Sequence, residues 1–143
     1  MKLRALSIIP MILTLNVPHG HAGNPFLRFC TSNGGTPEVL QLESDQVMLC
    51  DFGSAGISAP DLWKFKTSNE NSTAITAYLN ANDSSSEAEA CANAGGQIAS
   101  STRLNTDIVH SICQFSDQSF IDATTLALGK NASQNASLTQ VLE

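Results

Sequence analysis

A chain of 143 residues with a formal charge of −6 and 14% charged residues is the size of one or two small globular units. The acidic balance excludes a nucleic-acid binder, which needs a basic stripe. It equally excludes a protein held on anionic membrane surfaces, which attract clustered lysine and arginine.

The first 22 residues read as a secretory signal peptide. Lys2 and Arg4 form a charged start, Ala5 to Val17 is apolar apart from a few small polar residues, and Gly20-His21-Ala22 places small residues at a cleavage site. The apolar run is well short of the roughly 20 residues that span a bilayer. All four cysteines follow the expected cut, and loss of Lys2 and Arg4 takes the formal charge to −8. The expected location is therefore periplasmic or secreted, where disulfides persist, and no integral membrane span is expected.

From residue 23 onward the chain repeats itself. Asn24 caps and Pro25 opens a short helix carrying Cys30, which ends at Gly34-Gly35. Strands at Thr36 to Glu43 and Gln46 to Phe52 follow, joined by the polar turn Ser44-Asp45. Period-two alternation puts Met48, Cys50 and Phe52 on one face and Leu49 on the other. Ser58-x-x-Asp61 then starts a helix with Leu62, Trp63 and Phe65. Ser72 to Ala81 has apolar residues at helical spacing, but Thr73 and Thr76 weaken it.

The second pass begins with a capping box at Ser84-x-x-Glu87 and a helix carrying Cys91 that ends at Gly95-Gly96. Strands at Gln97 to Leu104 and Asp107 to Phe115 follow, then a helix started by Ser119-x-x-Asp122. The expected fold is α+β: two tandem α-β-β-α units, each an antiparallel hairpin packed on short helices with one disulfide inside the unit. The boundaries are 1–22 for the signal peptide, 23–80 and 81–130 for the repeats, and 131–143 for a flexible polar tail.

Four cysteines allow three pairings, and the repeat favours Cys30–Cys50 and Cys91–Cys113, because a bond within a unit survives duplication. Each would close a loop of about twenty residues, worth roughly 3 kcal/mol in chain entropy. Units this small need such a staple.

Asn24-Pro25, Cys30-x3-Gly34-Gly35, Cys50-x-Phe52 and Asp61-Leu62-Trp63 resemble the small bacterial exported cysteine-rich modules that carry a hemolysin label, a family of unknown function. The second unit resembles them through Cys91, Gly95-Gly96, Cys113 and Phe115. The resemblance implies a second cysteine pair in each unit, one member after the Phe-containing turn, where this chain has Ile57 and Ile121, and the other after the tryptophan helix, where it has no cysteine. Joint loss of that pair in both units supports the pairing given above. The hemolysin label implies no catalytic residue.

Candidate chemistry is sparse. His110 is the single histidine after residue 22, on the strand face opposite Cys113 at the place of Val47, and a zinc site is excluded by the lack of companions. Asp61, Asp117 and Asp122 sit where capping accounts for them. The glycine pairs lack the lysine of a phosphate loop. No enzyme activity and no cofactor is expected. Trp63 and Phe65 are the candidate partner contacts. The expected function is a non-catalytic interaction or structural protein of the bacterial envelope with protein partners, for example an accessory subunit of a secretion machine. The alternatives are an inhibitor of a secreted enzyme, inserting a loop at Gly53 to Ala59, and a hemolysin-like effector, which the lack of a basic amphipathic helix disfavours.

Overall fold

The computed structural model describes residues 24–84 and 86–143; the expected signal peptide lies outside them. In the first repeat, α1 (Pro25–Ser32), β1 (Thr36–Gln41), β2 (Gln46–Asp51), β3 (Gly56–Ser58) and α2 (Ala59–Ser68) follow one another. Helix α3 (Thr73–Asn80) leads to the second repeat, with α4 (Glu87–Asn93), β4 (Gln97–Arg103), β5 (Val109–Gln114), β6 (Phe120–Asp122) and α5 (Ala123–Leu128). A 3-10 turn at Ser133–Asn135 and α6 (Ala136–Leu142) complete the chain.

Local signals explain most of these boundaries. Asn24 Oδ1 accepts from Phe26 N at 3.0 Å with Pro25 at the first helical position, and Ser58 Oγ accepts from Asp61 N at 3.4 Å. Gly34 and Gly95 take φ of +87° and +83°, the left-handed exit that glycine adopts without steric penalty. Two caps fall elsewhere than expected. Ser86, not Ser84, caps α4; Asp122, not Ser119, caps α5, because β6 begins directly after Ser119.

Those short third strands correct the expected architecture. The units are not two tandem α-β-β-α modules. Each is α-β-β-β-α, and the two three-stranded sheets join at both edges into one closed antiparallel barrel in the order β1-β2-β3-β6-β5-β4. One seam pairs Ile57 with Ile121; the other pairs Leu40 with Arg103 and Gln41 with Thr102. Cys50 faces Ile57 and Cys113 faces Ile121, so Ile57 and Ile121 are equivalent positions of the two repeats. Gln41 and Thr102 are equivalent too, each the sixth residue of its first strand. A pseudo-two-fold axis therefore runs through both seams, across the barrel, and exchanges its two ends.

The alternation of each strand now has a meaning for both faces. The outer face carries the disulfides Cys30–Cys50 and Cys91–Cys113, as the repeat predicts, and packs beneath the helices in a core that includes Ile57, Leu62, Ile75, Tyr78, Ile121 and Leu126. This one core draws on both repeats. The second glycine of each pair does more than allow a turn. A Cβ on Gly35 would lie 2.5 Å from Cys50 Sγ, and one on Gly96 would collide with Cys113 Sγ, so each glycine leaves the space its disulfide occupies. The inner face holds a smaller cluster of Leu40, Leu49, Ile112 and Phe120. Each such buried side chain stabilises by about 1.5–3 kcal/mol.

The C-terminal residues are not the frayed tail that their polarity suggests. Leu138 and Leu142 are buried in the outer core. Asn135, fully buried, donates to Thr125 O at 2.9 Å and Gly129 O at 2.8 Å. Thr139 Oγ1 donates to Lys130 O at 2.8 Å and lies 2.7 Å from Tyr78 Oη.

Candidate functional site at one mouth of the barrel

Inward positions along β1, β2, β4, β5 and β6 bring five ionisable side chains to one end of the barrel: Glu38, Asp51, Arg103, His110 and Asp122. Arg103 Nη2 is 2.7 Å from Glu38 Oε1 and 4.0 Å from Asp51 Oδ2. His110 Nδ1 is 3.9 Å from Asp122 Oδ2. The other oxygens of the two aspartates are held by nearby donors: Asp51 Oδ1 accepts from Gly53 N at 2.8 Å, and Asp122 Oδ1 accepts from Thr125 N at 2.8 Å and Thr125 Oγ1 at 3.0 Å. Thr125 Oγ1 in turn accepts from Gly56 N at 3.0 Å, tying β3 to the start of α5.

The environment is costly for charge. Burial pushes the Glu38 carboxyl above its ordinary range and the negative charge of Asp51 adds to that, while Arg103 and His110 pull it down. Burial likewise raises Asp122, against the hydrogen bonds from Thr125 and the pull of His110. Glu38 Oε2, Arg103 Nε and His110 Nε2 are buried with no hydrogen-bond partner among the described residues. A cavity of about 230 Å³ opens at this mouth, lined by Leu49, Asp51, Gly56, His110, Asp122 and Thr124 with the turn before β3.

The pseudo-two-fold axis supplies an internal control. At the opposite mouth, Ala99 stands for Glu38, Gln114 for Asp51, Leu42 for Arg103, Val47 for His110 and Ser58 for Asp122. There Phe120 takes the position of Gly56, is buried, and packs with Ile112, Leu42, Val47 and Ala99. One mouth holds a buried phenyl ring, with a cavity of about 800 Å³ lined by Leu42, Ala99 and Gln114 beside it. The other has a glycine at that place and polar walls. A Cβ on Gly56 would already come within 3.0 Å of Leu49.

No protein-family model, curated protein or solved structure matches the chain. Its function is therefore argued from its own geometry.

The residues singled out from sequence lie in several places. His110 is on the face opposite Cys113, as expected, and that face is the barrel interior. Trp63 is half-buried on α2, edge-on to Phe26 of α1 with ring centroids 5.4 Å apart, and Phe65 packs against the outer core; neither lines the charged mouth. Asp61 is buried at the start of α2, where burial raises its carboxyl despite the hydrogen bond with Ser58. Asp117 works at a distance. Its Oδ2 accepts from Thr73 N at 2.9 Å at the start of α3, and its Oδ1 accepts from Ser119 Oγ at 2.6 Å. Burial pushes it up, but the hydrogen bonds from Ser119 and Thr73 prevail and hold it at about 2. The segment 53–59, expected as an exposed loop, instead contains β3, with Gly56, Ile57 and Ser58 buried, and Ser54 Oγ donates to Gln134 O. Glu38, Asp51 and Arg103 were not singled out from sequence. Aligning the inward positions of the two repeats is the signal that would have found them.

Proposed function

We propose that the protein is a non-catalytic, exported interaction protein of the bacterial envelope, acting through protein partners, with an accessory subunit of an envelope assembly such as a secretion machine as its concrete form. Two disulfides with no free cysteine among the described residues suit an oxidising compartment. The observation that carries the reading is on the β4–β5 hairpin. Ile98, Leu104, Ile108 and Val109 are exposed there by 43, 39, 48 and 64%. The equivalent positions of the first repeat are Pro37, Glu43, Asp45 and Gln46, so the fold does not require apolar residues at these places. Exposed apolar side chains at the turn end of this hairpin, Leu104, Ile108 and Val109, where the sister hairpin has Glu43, Asp45 and Gln46, support a surface kept for a partner.

The test copies the first repeat onto the second. Ile108→Asp with Val109→Gln is expected to leave the thermal midpoint within about 2 °C, as exposed substitutions do. The same double variant is expected to abolish stoichiometric co-purification of an envelope protein after in-cell crosslinking. Unchanged co-purification would overturn the reading.

A further inference from the structure

We propose that the free edge of β4 is a docking site for an extended peptide segment of another protein, bound as an added strand and carrying a basic side chain. The site goes beyond the interaction reading and lies at the other end of the hairpin from Leu104, Ile108 and Val109.

The seam between β1 and β4 pairs only Leu40 with Arg103 and Gln41 with Thr102, so most of β4 overhangs it. The hydrogen-bonding groups of successive residues in a strand point to opposite sides. Arg103 N donates to Ile108 O at 2.9 Å on the β5 side, and Leu104 N donates to Val39 O at 2.9 Å on the β1 side. Counting back from Leu104 in steps of two, Thr102, Ser100 and Ile98 turn their backbone N–H and C=O toward β1. Thr102 meets Gln41 there. Beyond Gln41 the chain turns away at 42–45, where Leu42 N donates to Asp45 O at 2.8 Å. Among the described residues, no backbone group bonds Ile98 or Ser100 on that side.

The first repeat shows the same edge guarded. Pro37 stands at the place of Ile98 and has no N–H to offer. Val39 stands at the place of Ser100, and its carbonyl is taken by Leu104 N. The reciprocal bond, from Glu43 N to Ser100 O, is absent among the described residues. Proline and charge are common guards of a strand edge, and Gln97 to Thr102 has neither. An edge blunted in one repeat and bare in its sister is not dictated by the barrel.

The occupant follows from the walls. Ile98 and Ser100 line the cavity of about 800 Å³, and the turn residues Glu43, Ser44 and Asp45 line it as well. A strand laid against Ile98 and Ser100 directs its side chains alternately outward and into the barrel mouth. The inward one, opposite Ala99, meets Leu42, which suits an apolar side chain. Glu43 and Asp45 are exposed, and no lysine, arginine or histidine lines the cavity with them, which suits a lysine or arginine. Main-chain pairing supplies affinity in this mode of recognition, and side-chain pockets supply selectivity. A second copy of this chain fits less well, because Gln97 to Thr102 brings no basic residue and the chain carries a charge of −6.

The test presumes no peptide sequence. A random heptapeptide library displayed on phage is panned on the oxidised protein, and enriched peptides are made synthetically and added to the ¹⁵N-labelled protein. Peptides with a lysine or arginine among apolar residues are expected. Hydrogen exchange at the Ile98 and Ser100 amides is expected to slow at least tenfold, with a smaller change at Ala99 and Ser101, which already pair with Ile112 and His110. Ile98→Pro, which copies Pro37, is expected to weaken binding at least tenfold. Glu43→Gln with Asp45→Asn leaves β4 intact should the proline variant fail to fold, and is expected to weaken binding about threefold, the scale of an exposed ion pair. Ile108→Asp with Val109→Gln is expected to leave peptide binding unchanged, so the two surfaces fail separately. The proposal is overturned by absence of enriched peptides, by protection confined to other residues, or by enrichment of acidic peptides. It is equally overturned if the Ile98 and Ser100 amides are protected in the free protein, or become so in step with a concentration-dependent dimer, since this chain itself would then hold the edge.

Discussion

The two mouths of this barrel are made by the same strands in the same register, related by an axis through the Ile57–Ile121 and Gln41–Thr102 seams. At one mouth Phe120 and its neighbours fill the lumen. At the other, Gly56 packs against Leu49 and the walls carry Glu38, Asp51, Arg103, His110 and Asp122. The difference separates what the architecture requires from what it tolerates. Closure of a six-stranded antiparallel sheet needs the seams and the inner apolar cluster. It does not need charge. Wherever an equivalent position is polar on one side and apolar on the other, a structural requirement cannot explain the polar choice.

The largest expected effect lies at the Phe120 mouth. Phe120→Ala is expected to destabilise by about 3–5 kcal/mol, as deletion of a buried phenyl ring does, measured as a shift in urea midpoint at constant m-value. A cost below about 1 kcal/mol would mean that Phe120 does not fill the lumen at its mouth and would end the comparison.

Next comes the ion pair. Arg103→Leu copies Leu42 but leaves Glu38 and Asp51 facing each other without their cation; breaking a buried pair costs about 3–5 kcal/mol, and partial exposure of Arg103, at 34% of its side chain, places this case at the lower limit. Glu38→Ala with Arg103→Leu copies both residues of the Phe120 mouth and is expected to recover most of that loss. A double-mutant cycle reads the coupling directly. If the double variant is as unstable as the single one, the charges have a structural role and the contrast between the mouths is misjudged.

The smallest effect is in pH dependence. Glu38 and Asp122 are raised above their ordinary values of 4.5 and 3.8, so the folded state binds their protons more readily than the unfolded state does. Their contribution therefore falls as pH rises from those ordinary values through the folded ones, and is regained on acidification. Asp117, held at about 2 against an ordinary 3.8, behaves oppositely: its stabilisation is present above 3.8 and is lost as pH falls toward 2. The expected profile of urea midpoints rises modestly on acidification from neutrality, then drops. The Glu38→Ala, Arg103→Leu double variant should flatten the rise, and Asp117→Asn should weaken the drop. Loss of the drop in the double variant would show that the mouth, not the α3 cap, sets acid stability.

Much of this molecule is legible in its residues. The cysteine pairing, the left-handed Gly34 and Gly95, the Asn24 and Ser58 caps and the two hairpins all follow from local pattern. What escapes is short or non-local. Three residues of β3 and three of β6 cannot display a period of two, and Ser58 and Ser119 draw attention to helix starts instead. Closure depends on seams between repeats, and no window within one repeat contains them. The final helix hides behind serines and asparagines, although Leu138, Val141 and Leu142 have helical spacing. For the site, His110 was visible as a departure from Val47. Glu38 and Arg103 lie too far apart in sequence to suggest a pair until the barrel places them 2.7 Å apart.

Because each seam pairs a residue with its own counterpart, a lone unit would expose two edges complementary to those of an identical unit. Two separate copies could therefore close the same barrel as a symmetric homodimer. In such a dimer both mouths would be identical by symmetry, and a residue that opened one would open the other. Joining the copies in a single chain removes that constraint. It lets one mouth carry Phe120 and apolar neighbours while the other carries Gly56 and charged ones, which two identical subunits could not do.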